Sequence, residues 1–264
     1  MNKVVSFSSG KGGVGKTSLV ANMGALLARS GKRVLLIDGD WSLGKLKLTL
    51  GVKTTWTLDQ VLKGEVELKD AISKVSENLY LLASPNGVLG FEELTEIERN
   101  QLFFEIEGLE DEYDFVFLDH SSGIGLDVLH FAAAAHEHLI LTTSEPTSYT
   151  DAYAIMKLLS KRFAVRNFKL MVTMSHNLPE SWGIIERFAE VARTKLDVRV
   201  KIVDVLDFDP RVSESIRAAK LFVNQFPESV LSRKLEKAVL SLEPEARRQH
   251  GLNFFFGKTS NLLG

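Results

Sequence analysis

The sequence predicts a single-domain α/β fold, a doubly wound and mostly parallel sheet flanked by helices, on three observations. Short β-branched or aromatic runs alternate with helical patterns along the whole length. Several runs are almost continuously apolar, which suits parallel strands covered on both faces. The first run leads directly into a glycine-rich segment that opens a helical pattern.

In chain order, strands are predicted at Lys3–Ser8, Arg33–Asp38, Leu79–Ala83, Phe115–Asp119, His138–Thr143, Phe168–Met174 and Arg199–Leu206. Helices are predicted at Lys16–Ser30, Thr95–Leu109, Thr150–Phe163 and Ser181–Leu196. Phe103 and Phe104 fall on one of these helices and are assigned to its core face. No internal repeat, low-complexity segment or linker divides residues 1–250. A polar helix over Glu228–Arg248 precedes a short tail, 251–264, of different character.

Lys+Arg 32 against Asp+Glu 34 leaves a net charge of -2, so no strong overall field draws the chain to nucleic acid. The absence of cysteine excludes disulfides, thiolate zinc sites and cysteine-held iron–sulfur clusters. An apolar strand pattern begins by Val4, leaving no room for a signal peptide, and no run of about 18 apolar residues spans a membrane. A cytoplasmic location is expected. His130, His136 and His138 have no carboxylate or thiolate companions at ligand spacing, so no metal is assigned to them.

Gly10-Lys-Gly-Gly-Val-Gly-Lys-Thr17 fits the phosphate-loop pattern, with a buried strand before it and a helix after it. Its glycines let backbone N–H groups turn toward phosphate oxygens, and the helix N-terminus favours the same anion. Gly10, Lys11, Gly12, Gly13, Val14, Gly15, Lys16, Thr17 and Ser18 form the expected nucleotide-binding set. Lys16 reaches the β- and γ-phosphates, and the Thr17 hydroxyl ligands Mg²⁺. Asp38 and Asp40 follow the second strand, where carboxylates face the ligand crevice of such sheets. Phe115-Val-Phe-Leu-Asp119 is an apolar run closing on an acid, a Walker B pattern that places Asp119 on Mg²⁺ through water.

Lys11, directly after the first glycine, makes the loop resemble the deviant Walker A motif of the MinD/ParA ATPases. That resemblance implies that Lys11 crosses a dimer interface to the partner's phosphates, which couples ATP binding to homodimerisation. It also implies that Asp38 supports the Mg²⁺ shell and that Asp40 orients the attacking water, so Lys11, Lys16 and Asp40 form the expected catalytic set. Thr57–Glu65 (TLDQVLKGE), Leu109–Asp119 (LEDEYDFVFLD) and Thr142–Tyr153 (TTSEPTSYTDAY) look like the flagellar-number regulators of the FlhG/FleN (YlxH) branch. The branch implies control of flagellar number and placement, with flagellar regulatory or assembly proteins as partners.

The chain departs from the family pattern at several points. His120, Ser121 and Ser122 stand where the second switch usually carries Thr-Gly-Ala or Ser-Pro-Ala, which bears on hydrolysis. Thr173 replaces an Asn used for adenine recognition, and Asp207 replaces a proline, whereas the nucleotide-binding Asp209 matches. No N-terminal activator motif precedes the first strand.

In the tail, Leu252, Phe255, Phe256, Leu262 and Leu263 share one helical face, with Arg247, Arg248 and Lys258 nearby. Relatives end in an amphipathic membrane-targeting helix, and 251–264 is either such a helix, peripheral at the inner face of the membrane, or a segment packed on the domain. The expected function is a weak ATPase whose ATP dimer docks on membrane and flagellar partners. A DNA-partition ATPase, a division-site regulator and a non-hydrolysing nucleotide-binding module are the alternatives. Mixed charge in Glu228–Arg248 argues against nucleic acid.

Overall fold

The computed structural model describes residues 3–41, 44–84, 93–109 and 112–242, with main chain alone at 126 and 127. The predicted tail helix and the end of the Glu228–Arg248 helix lie outside the described residues.

The elements follow as β1 (Lys3–Ser8), α1 (Lys16–Arg29), β2 (Val34–Gly39), α2 (Leu46–Leu50), α3 (Leu58–Leu62), α4 (Leu68–Ala71), β3 (Ile72–Lys74), β4 (Leu79–Leu82), α5 (Glu96–Glu107) and β5 (Phe115–His120). Then come α6 (Leu126–Ala134), β6 (Glu137–Thr142), α7 (Pro146–Arg162), β7 (Asn167–Ser175), α8 (Leu178–Leu196), β8 (Arg199–Asp207), α9 (Pro210–Arg217), α10 (Phe222–Gln225) and α11 (Val230–Leu240). The sheet order is β3-β4-β2-β5-β1-β6-β7-β8, and every pairing is parallel except β3 with β4.

Alternation along the central strands sends successive residues to opposite faces. Val5, Phe7, Leu36 and Phe117 pack on α1 and α11 through Leu19, Met23, Leu235 and Val239. Val4, Leu35, Ile37, Val116 and Leu118 face the other way, against Leu102, Phe103 and Ile106 of α5. A third apolar cluster joins β6 and β7 to α7 and α8 through Ile140, Leu170, Ile155 and Ile185. With the strand bodies enclosed on both faces, polar side chains collect at the strand ends.

Several predicted boundaries move, each for a local reason. Helix α7 starts at Pro146 rather than Thr150, because a proline at the first helical position has its φ preset and needs no N–H partner. Helix α8 likewise starts three residues early, after Asn177 caps the Glu180 N–H at 3.3 Å. A capping box of Thr95 with Glu98 fixes the start of α5. Phe103 is buried as expected, but Phe104 is 67% exposed, because consecutive positions on a helix point about 100° apart and only one meets the sheet. Edge strand β3 has three residues, too few to show alternation, and was not predicted.

His138 on β6 is buried beside the Phe168 ring. Burial, helped by His136 and opposed by the Glu137 carboxylate, lowers its pKa to about 4. The folded ring stays neutral where the unfolded one takes up a proton near pH 6.5. The associated stability is complete above about pH 6.5 and is lost as pH falls toward 4. In urea unfolding, His138→Phe is expected to keep about 2 kcal/mol of the stability that the wild type loses between pH 7 and pH 5.

Candidate functional site

Strands β2, β5 and β1 are neighbours, so their carboxyl ends finish side by side. Asp38 stands in register with Asp119, Gly39 with His120, and Phe7 with Asp119. Beyond Ser8 the chain enters the glycine-rich loop, which delivers Lys16 to the first turn of α1. Gly13 (φ 83°) and Gly15 (φ 82°) occupy the left-handed region, which is open to glycine at no steric cost. Gly10 is required for a different reason: a Cβ there would lie 2.2 Å from the Asp151 Cβ and 2.9 Å from its Cα on α7.

Among the side chains assigned from sequence, Lys16, Asp38, Asp40 and Asp119 come together at these strand ends, and Thr17 follows Lys16 in the first turn of α1. The Lys16 ammonium meets Asp119 Oδ1 at 2.5 Å and donates to the His120 carbonyl. Asp119 Oδ2 is buried with no hydrogen-bond partner among the described residues. Asp38 accepts from the Asp40 and Leu46 N–H groups at 3.1 and 3.0 Å. Burial first, and the neighbouring Asp119 second, raise its pKa to about 7. The Asp40 carboxylate receives the Ser121 hydroxyl at 3.3 Å and lies 3.3 Å from the Lys45 ammonium.

Lys11 stands apart from this cluster on the exposed rim of the loop, where it pairs with Glu145 at the N-cap of α7. The loop is tied to the segment after β5, since Gly123 N–H donates to Ser9 O at 2.9 Å. Asp209 borders an apolar cleft beside the loop, shared with Val14, Gly15, Met174, Phe208 and Ile216. Its carboxylate caps α9 and holds Arg211 at 2.7 Å. The Thr173 hydroxyl is turned to Val14 O at 2.8 Å, and Asp207 is paired with Lys234 at 2.7 Å.

Sequence reasoning missed Glu145, Lys45, Asp151 and the pair Ser6 and Ser8. Glu145-Pro146 carried a helix-start signal that could have placed Glu145 at the mouth of the site. The others are joined to the site by tertiary contacts and had no local signal.

The residues fit a nucleotide phosphate chain with hydrated Mg²⁺. Thr17, Asp38 and Asp119 offer the oxygen ligands and water acceptors that this ion prefers, and the orphaned Asp119 Oδ2 is a buried acceptor awaiting a donor. The left-handed glycines leave the loop open to anion binding.

Comparisons with known proteins agree with this geometry. The family described as "AAA domain" matches residues 2–171. The antiactivator FleN of Pseudomonas aeruginosa is 31% identical over 230 residues, 87% of this chain and 82% of FleN. The flagellum site-determining protein YlxH of Helicobacter pylori is 28% identical, across 99% of this chain and 91% of YlxH. Among solved structures, the septum site-determining protein MinD from Pyrococcus horikoshii, complexed with Mg-ADP, superposes with a TM-score of 0.73 at 29% identity over 92% of this chain and 96% of that one. A MinC:MinD cell division protein complex from Aquifex aeolicus gives a TM-score of 0.73 at 27% identity over 94% of this chain and 100% of that one. The chain belongs to the MinD/ParA-type deviant Walker A ATPases, in the company of the FleN and YlxH (FlhG) proteins.

Two glycine substitutions separate crowding from backbone conformation. Gly10→Ala pushes a methyl into the α7 backbone and is expected to cost about 2–3 kcal/mol and to weaken Mg-ADP binding. Gly13→Ala meets no atom within 4 Å and is expected to cost about 1–2 kcal/mol, from the left-handed φ alone. Urea unfolding and a fluorescent-nucleotide titration of both variants check the order.

Proposed function

We propose that this protein is an ATP-dependent dimerising switch, a weak ATPase that regulates flagellar number and placement through protein partners and the membrane surface. The observation that carries the reading is the pair of lysines on one loop. Lys16 is buried on Asp119, whereas Lys11 stands on the exposed rim beside Glu145. A buried lysine serves the nucleotide of its own chain, and an exposed one can serve a second copy.

In this reading Gly10, Gly12, Gly13, Val14, Gly15, Thr17 and Ser18 cradle the phosphates, and Lys16 leaves Asp119 to hold the β- and γ-phosphates. Bound Mg²⁺, held by Thr17, Asp38 and Asp119, supplies charge neutralisation to the phosphoryl group. Asp40 orients the attacking water, and Lys11 exchanges Glu145 for the phosphates across the dimer. Hydrolysis returns the pair to monomers, because the switch segments lose the γ-phosphate contacts that order them. The FleN and YlxH relatives support the flagellar role. No described helix is long and apolar enough to cross a membrane; the apolar face predicted for the tail, 251–264, is the feature that supports peripheral contact at the cytoplasmic face of the membrane. Similarity to MinD supports a division-site regulator as the second reading, built on the same switch and separable by cell phenotype.

Light scattering with ADP and with ATP-Mg²⁺ tests the switch. Wild type is expected to double its mass with ATP alone, Asp40→Ala to remain dimeric with ATP, and Lys11→Ala to stay monomeric while still binding nucleotide. A wild type that binds ATP and remains monomeric overturns the role given to Lys11.

A further inference from the structure

His120 follows Asp119 at the end of β5, and its ring is wholly enclosed. Gly39 on β2 makes the space, since a Cβ there would meet the His120 Cα at 3.3 Å and its Cβ at 3.4 Å. On one side Nε2 lies 3.0 Å from the hydroxyls of both Ser6 and Ser8 on β1, which are themselves 3.1 Å apart. On the other side Nδ1 lies 3.1 Å from the carbonyl of Ser121.

A carbonyl can only accept, so Nδ1 carries a proton and donates it to Ser121 O, and the two hydroxyls facing Nε2 can both donate, which suits a ring with no proton on Nε2. Nε2 is then an acceptor with one lone pair. It takes the proton of one serine hydroxyl, and the other serine donates to its neighbour, so all three groups are satisfied. The main chain of Ser121 is thereby tied to β1, the strand that launches the phosphate loop. From that fixed main chain the Ser121 hydroxyl donates to Asp40 Oδ1 at 3.3 Å. Lys45 approaches the other oxygen of the same carboxylate at 3.3 Å.

We infer that His120 and Ser121 are positioning residues for turnover. His120 anchors the main chain at Ser121, and the Ser121 hydroxyl sets the orientation of the Asp40 carboxylate toward the water it directs. The inference rests on the role given to Asp40 above. A glycine or proline at position 121 has no hydroxyl to place on Asp40, so the device belongs to the particular residues of this chain. Neither side chain is assigned a contact with nucleotide, which separates their effect on kcat from any effect on binding. A misdirected carboxylate at the reacting centre lowers the rate, since a displacement of about 1 Å can cost on the order of 100-fold.

The test is steady-state ATP turnover together with Mg-ADP affinity for wild type, Ser121→Ala, Ser121→Thr, His120→Asn and Asp40→Ala. Ser121 is at the surface of the site, so its alanine variant is expected to fold. Ser121→Ala and His120→Asn are expected to lower kcat about tenfold while KM and Mg-ADP affinity stay within about twofold. Ser121→Thr keeps the hydroxyl and is expected to return kcat to within about threefold of wild type. Adding Ser121→Ala to Asp40→Ala is expected to change nothing further, because the two act as one unit. If Ser121→Ala turns over like wild type while Asp40→Ala is inactive, this inference falls and the role of Asp40 stands. Equal losses in affinity and kcat would mark a merely structural contact and overturn it as well. A wild type without turnover, or an Asp40→Ala variant with wild-type turnover, overturns the role of Asp40 and this inference together.

Discussion

Lys16 and Asp119 meet 2.5 Å apart with almost no exposure, and the nucleotide-facing end of the sheet is organised around them. Taking both charges out of water costs several kcal/mol, which their mutual attraction offsets only with good geometry and further hydrogen bonds. The His120 carbonyl supplies one of those bonds to the lysine. Asp119 still holds one buried oxygen without a partner among the described residues, so the pair is incompletely satisfied within them. That imbalance suits a binding site: phosphate can compete for the lysine, and a hydrated cation can complete the aspartate.

The order of the strands explains why this pair is where it is. With β2, β5 and β1 adjacent and parallel, one layer of strand ends brings Asp38, Asp119, His120 and the start of the phosphate loop together. Apolar packing on both faces excludes charge from the strand bodies, so chemistry is confined to the ends. The segments around that layer are joined to one another by a few hydrogen bonds and ion pairs. Gly123 holds Ser9, Ser121 holds Asp40, and Glu145 holds Lys11. Contacts of this kind can be exchanged for others, which is what the proposed switch requires.

Local chemistry made much of this readable in advance. The phosphate loop declares itself because glycine spacing, the preceding strand and the following helix are contiguous in sequence. The seven strands first recognised are apolar runs, and each lies within a residue or so of its predicted position. What escaped was set by distance along the chain or by length. Ser6 and Ser8 read as polar positions of a strand until β5, more than a hundred residues later, lays His120 against them. Glu145 meets Lys11 across 134 residues, and β3 is too short to carry a period. Asp209 borders a cleft beside the loop, and its carboxylate is engaged by Arg211, an arrangement that no motif announces.

A double-mutant cycle on Lys16 and Asp119, read by urea unfolding without nucleotide, probes the central interaction most directly. Lys16→Met and Asp119→Asn are each expected to cost about 3–5 kcal/mol, because each strands a buried partner. The double variant is expected to cost far less than their sum, with a coupling energy above about 1.5 kcal/mol. Costs that add to within about 0.5 kcal/mol would mean that the two side chains act independently, and would contradict a site organised around their pairing.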